Sequence, residues 1–113
     1  MEYLNLQQGD CSARICTYGA QILSCQLQDA HPLLWLSSAA LYQPGQSIRG
    51  GVPICWPWFG RSPKPGRPAQ GFARLVDWQV QSVQPAQAVF RLTDADVPPE
   101  MVDFPFRLQM SIT

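Results

Sequence analysis

An all-β, antiparallel sandwich is the fold this sequence predicts, and three observations carry that reading. Apolar residues recur with a period of two in several short stretches. Turn-forming residues separate those stretches at short intervals. No segment sustains a helical period bounded by caps.

In chain order, Cys11, Ala13, Ile15 and Thr17 alternate with polar or small neighbours, as a half-buried strand does. Tyr18-Gly19-Ala20 interrupts the pattern, and Leu23, Cys25 and Leu27 resume it. Asp29-Ala30-His31-Pro32 reads as a turn, because Asp and Pro favour turn initiation. Leu33 to Leu36 is a short apolar run, and Ser37 to Gln43 has room for one turn of helix. Val76, Trp78 and Val80 alternate again, followed by a brief apolar stretch from Val89 to Leu92. The last pattern is the cleanest: Phe106, Leu108, Met110 and Ile112 on one side, Arg107, Gln109, Ser111 and Thr113 on the other. Its alternation is still running at Thr113, which fits a half-buried terminal strand and a sheet cut partway through equally well.

With 113 residues, the chain has one domain's worth of sequence and a modest core. Its formal net charge is zero, which argues against a general attraction to nucleic acid or membrane. No apolar run approaches the length of a membrane span, and the N-terminal residues lack the pattern of a signal peptide. The expected setting is therefore cytoplasmic, with reduced thiols. Cys11, Cys16, Cys25 and Cys55 show no CxxC spacing, and His31 is the single histidine. No zinc-ligand pattern can be assembled from these residues, so the expected metal is none and the expected cofactor is none.

Charge is unevenly placed along the chain. Between Asp29 and Asp77 there is no acidic residue, yet the interval carries Arg49, Arg61, Lys64, Arg67 and Arg74. Within it runs a proline- and aromatic-rich loop, residues 44–70, with Arg49-Gly50-Gly51-Val52-Pro53-Ile54-Cys55-Trp56-Pro57-Trp58-Phe59-Gly60 at its centre. Six prolines between Pro44 and Pro68 limit the entropy lost on ordering. Its large rings are unlike those of a solvated linker. The glycine pair permits positive φ or a close backbone approach. Guanidinium forks match phosphate or carboxylate, and flat aromatic faces suit the C–H face of a sugar. A phosphorylated sugar combines both features. For any single ring, packing in the core is the competing role. For Arg74, which follows Gly71-Phe72-Ala73 at the entrance to an expected strand, it is an ion pair with Asp77.

The Arg49–Gly60 motif, the following Gly71-Phe72-Ala73-Arg74 and Trp78 together resemble the glucose-6-phosphate 1-epimerases, hexose-6-phosphate mutarotases of the galactose mutarotase-like superfamily. The resemblance covers most of the chain. It implies that residues 1–113 are the N-terminal portion of a large β-sandwich, and that the activity is interconversion of the α and β anomers of a hexose 6-phosphate, without a metal. It also implies that Arg49 and Arg74 contact the substrate, especially its anionic group. The chemistry of the loop adds Gly50, Gly51, Trp58, Phe59 and Gln70 as further candidate substrate-binding residues.

Two departures from the family accompany it. The family usually has His-Gly-Phe-Ala-Arg, whereas here the first position is Gln70, which hydrogen-bonds but does not transfer protons near neutral pH. The family's catalytic histidine acid and glutamate base would lie beyond Thr113, so no catalytic residue is expected in this chain. His31 reads as a solvated turn residue, and Asp94, Asp96, Glu100 and Asp103 as an acidic loop. Asp103 is the one of these best placed to reach a ligand pocket. The other functional class open to the sequence is a non-catalytic sugar-phosphate-binding or regulatory module.

Overall fold

The computed structural model describes residues 1–113 and turns the alternating stretches into two three-stranded antiparallel sheets. The first contains β1 (Tyr3–Gln8), β2 (Cys11–Cys16) and β3 (Gln21–Leu27), in that order. The second contains β4 (Gln79–Gln84), β5 (Gln87–Thr93) and β6 (Arg107–Ile112), again in order. Both are meanders, so each strand pairs with its sequence neighbour and the register follows from short turns. In β5 the period of two is complete. Ala88, Phe90 and Leu92 are buried, while the residues between them are half-buried. Leu6 and Ile15 from the first sheet meet these three in one core, joined by Phe72, Ala73, Trp78 and Val97 from the connections. A second, smaller cluster gathers Cys16, Tyr18, Leu23 and Ile48.

Several sequence expectations are corrected. The N-terminal segment, for which the sequence pattern gives no strand, is a paired strand. Half-buried Leu4 and buried Leu6 are the only residues marking its inner face, an alternation too short to stand out in the sequence. The Glu2 backbone N–H donates to the Thr17 hydroxyl at 2.8 Å, and the terminal ammonium lies 3.4 Å from the Asp77 carboxylate. Strand β4 begins at Gln79, later than the alternation from Val76 suggests. Trp78 is drawn into the core and donates its indole N–H to the Ala73 carbonyl at 2.8 Å, whereas Val80 faces outward. A register shift between Val80 and Ser82 and a wholly exposed, glutamine-rich surface mark β4 as a blunted sheet edge. Ser37 to Gln43 contains no helix. The Ser37 hydroxyl accepts the Ala39 N–H at 3.1 Å and the Ser37 carbonyl accepts that of Ala40, a local turn that competes with helix formation.

The long connection between the sheets is held by isolated pairings rather than by strands. Leu36 pairs with Gly50, Ile22 with Val52, Trp56 with Gly71 and Tyr18 with Asp77. The 44–70 loop is thereby laid against the β2–β3 hairpin. Between β5 and β6, two short 3-10 turns (Asp94–Asp96 and Pro99–Met101) carry Asp94, Asp96 and Glu100, and Asp103 follows them. Asp96 accepts from the Thr93 backbone N–H at 2.9 Å and from the Thr93 hydroxyl at 3.1 Å, a capping arrangement. Burial alone would raise its pKa, but these donors and Gln79 outweigh that and lower it. No helix is long and apolar enough to cross a membrane.

Candidate functional site

The two motifs are brought together through backbone. The Trp56 carbonyl accepts the N–H groups of Phe72 (3.0 Å) and Ala73 (3.1 Å), immediately before Arg74. This approach demands glycine at 71, where φ is +77° and a Cβ would lie 2.1 Å from the Trp56 carbonyl oxygen. The first motif is fixed in the same way. Gly51 (φ +65°) would place a Cβ 2.0 Å from the Ile22 carbonyl oxygen, and Gly50 (φ +120°) would place one 2.6 Å from that of Trp35.

The β2–β3 hairpin supports both arginines. Buried Gln21 donates through Nε2 to the carbonyls of Ile48 and Gly50, the two residues that flank Arg49. Gly19 meets the backbone of Arg74, which a Cβ there would approach to 3.1 Å. In the turn of the same hairpin, the Tyr18 hydroxyl accepts the Gly45 N–H at 3.1 Å. Burial raises the Tyr18 pKa, opposed by the N–H groups of Gly45 and Gln46 and by the charge of Arg74.

The side chains of the expected site lie in three neighbourhoods. Arg49 is exposed and lines a recess of about 330 Å³ with Trp35, Ser37, Leu41, Gln46 and Ser47. Arg74 does not line that recess. It lies in a 3-10 turn (Ala73–Leu75) rather than at a strand entrance, and one guanidinium nitrogen donates to the Ala69 carbonyl at 3.1 Å. Its Nε is buried without a hydrogen-bond partner. The alternative pairing with Asp77 does not form, because Asp77 holds the N-terminus and the Thr17 hydroxyl.

Trp56 and Trp58 form the third neighbourhood. Both rings stand edge-on to Phe72, with centroids 5.8 Å away, and Trp56 also meets Phe106 at 4.8 Å. The Trp58 indole N–H donates to the Pro68 carbonyl at 2.8 Å, and Arg67 lies over its ring. Phe59, by contrast, is 81% exposed. Gln70 closes the 60–70 loop, with its Oε1 accepting the Gly60 N–H at 3.0 Å and its own N–H donating to the Gly60 carbonyl at 2.8 Å. No hydrogen bond within the protein engages its Nε2.

Spatially, the acid-free segment is less uncompensated than its sequence suggests. Asp103 reaches across from the β5–β6 connection to pair with Arg67 through two hydrogen bonds (2.9 and 3.0 Å) and with Lys64. These partners hold its carboxyl far below the ordinary range. Asp103 is therefore committed to a loop contact, not presented to a ligand pocket. Arg49, Arg61 and Arg74 have no carboxylate within 4.0 Å.

Comparison with known proteins bears on what this arrangement serves. A family model described as aldose 1-epimerase matches residues 2–113. The chain belongs to the aldose 1-epimerase family. Within it, a protein of Escherichia coli (strain K12) provisionally named glucose-6-phosphate 1-epimerase is 44% identical over 70 residues, covering 62% of this chain and 24% of the relative. A Cenchrus ciliaris protein with the same provisional name is 36% identical over 115 residues, covering 91% of this chain and 34% of the relative. The crystal structure of a provisionally assigned mutarotase from Salmonella typhimurium matches with a TM-score of 0.87 and 29% identity, over 96% of this chain and 38% of that one. The chain thus spans about a quarter to two fifths of the length of these relatives. The expected all-β sandwich of mutarotase type is its fold.

One feature of this aldose 1-epimerase chain escaped the sequence reading. Trp35 is 71% exposed and shares the Arg49 recess, although it stands fourteen residues earlier. Only the pairing of Leu36 with Gly50 reveals their proximity. A tryptophan in an apolar run, four residues after the single histidine, carries no local signal of such a place.

Proposed function

We propose that this aldose 1-epimerase chain binds a hexose 6-phosphate and supplies the sugar-phosphate-binding part of an enzyme that interconverts its α and β anomers. Arg49 carries the reading: a guanidinium without a carboxylate partner, on a backbone fixed by Gly50, Gly51 and Gln21, in a recess with hydroxyl and amide side chains. Such a group accepts a phosphate through paired charge-assisted hydrogen bonds. Arg74 packs against the turn of the same hairpin at Gly19 but lies outside the Arg49 recess, so the phosphate contact is assigned to Arg49. The provisional names of the relatives supply the substrate class.

Anomer exchange needs a base to take the proton from the C1 hydroxyl and an acid to protonate the ring oxygen. The ring opens, the aldehyde carbon rotates, and closure on the other face returns both protons. Within residues 1–113 no histidine–carboxylate pair adjoins Arg49: His31 is exposed on the 29–32 turn, and Asp103 is held by Arg67 and Lys64. The acid and base are assigned to sequence outside these residues.

Two-dimensional exchange NMR on glucose 6-phosphate tests both halves. This chain should bind the ligand and leave α/β exchange at the background rate. A chimera in which residues 1–113 replace the matching part of the E. coli relative should accelerate exchange. A binding-competent chimera at the background rate would remove the enzymatic role, and absence of binding by the chain would remove the reading altogether.

A further inference from the structure

The pairing of Leu36 with Gly50 sets a local two-stranded ladder in which the Ser37 N–H donates to the Arg49 carbonyl (2.9 Å) and the Gly51 N–H to the Trp35 carbonyl (2.7 Å). Side chains in such a ladder alternate, so Trp35 and Ser37 project opposite to Leu36. Leu36 packs on the cluster of Cys16, Tyr18, Leu23 and Ile48. Trp35 and Ser37 are thereby turned outward, beside Arg49 in the recess. Glycine at 50 is what allows the two segments to lie this close, since a Cβ would meet the Trp35 carbonyl oxygen and the Leu36 Cα at 2.6 Å.

A tryptophan left 71% exposed is unusual, because its large ring ordinarily contributes to burial. The other three tryptophans follow that rule: Trp78 is buried, and Trp56 and Trp58 pack around Phe72. Phe59 is more exposed than Trp35 but does not line the Arg49 recess. Among the tryptophans, Trp35 is the one left exposed, and it shares its recess with the unpaired Arg49 guanidinium and with Ser37, Gln46 and Ser47 as hydrogen-bonding groups.

Resting on the sugar-phosphate reading above, we propose that Trp35 is the platform for the sugar ring. Its indole takes the apolar C–H face of the pyranose while Arg49 holds the phosphate. Ser37, Gln46 and Ser47 meet the hydroxyls that project from the ring edge. The residue sets specificity for a closed ring, since an open-chain polyol phosphate offers the same anion and hydroxyls without a flat face.

The test compares glucose 6-phosphate with sorbitol 6-phosphate, which has no ring, by ligand-observed NMR titration of the 113-residue chain. The native chain should prefer glucose 6-phosphate, and Trp35→Ala should weaken that ligand about tenfold while changing sorbitol 6-phosphate about twofold or less. Trp35→Tyr should retain most of the preference, and Arg49→Ala should weaken both ligands. Trp35→Leu, apolar but without a ring, replaces the alanine variant should that one fail to fold. An unchanged preference in the ring-less variants, or equal losses for both ligands, overturns the platform and leaves the phosphate reading standing. No effect of Arg49→Ala, or no binding of either ligand by the native chain, overturns the reading on which the platform rests.

Discussion

At the scale of single residues, the site is built by what two glycines leave out. A side chain at 51 would collide with the Ile22 carbonyl, which belongs to a paired strand and cannot retreat without breaking the sheet. Gly60 has a similar positive φ of +77° but nothing within 4 Å of its virtual Cβ. Gly60→Ala should therefore cost only the conformational penalty, about 1–2 kcal/mol. Gly51→Ala adds a backbone clash and should cost upward of about 3 kcal/mol. Urea denaturation of the two variants checks this, and equal losses would show that close approach is unimportant at 51. The sequence made the glycine pair conspicuous, but not its reason, because Ile22 and Trp35 lie far away in the chain. The same blindness affected charge. An interval without acids looked uncompensated until the fold brought Asp103 to Arg67 and Lys64. Gln70 illustrates a third limit, since nothing local told that its Oε1 would be engaged in closing its own loop.

Among the elements, strands with one buried face could be read and strands without one could not. The pattern in β6 is the same in sequence and structure, with Leu108, Met110 and Ile112 turned inward. The strand β1 fully buries one residue and β4 buries none, so neither presents a periodic apolar face that fixes its bounds in the sequence. The 44–70 loop was legible as an ordered unit from its rings and prolines, but its latch was not. Asp103 clamps that loop to the β5–β6 connection from an exposed position, where salt screens the interaction. Asp103→Asn should therefore speed tryptic cleavage after Arg61 several-fold while leaving the far-ultraviolet circular dichroism unchanged. Molar salt should reproduce part of the effect. The pH dependence has a definite sign: the folded carboxyl titrates well below its unfolded value, so the latch is complete above about pH 4. As acid is added its contribution declines, and it is lost only in strong acid. A latch that opened near pH 6 would require a different titrating group.

For the molecule as a whole, the thin core decides how much change it tolerates. Only 18 of 113 residues are buried, and the side chains joining the two sheets are fewer still. Phe90 stands at their centre, fully buried on the middle strand of the second sheet and in the same cluster as Ile15 and Phe72. The two meanders share little else: among loop hydrogen bonds, the Gln7 N–H donates to the Pro85 carbonyl at 2.8 Å. Their relative position therefore depends on packing, and with it the placement of the connection that carries Arg49 and Arg74. Phe90→Ala removes a ring from this junction and should cost about 3–5 kcal/mol. That is a large share of the roughly 5–15 kcal/mol that keeps a typical domain folded. Val83→Ala, half-exposed on the outer strand β4, should cost under about 0.5 kcal/mol. Urea midpoints measured on both variants separate the cases. A Phe90→Ala midpoint close to that of Val83→Ala would mean that the sheets are held together by something other than the cluster around Phe90.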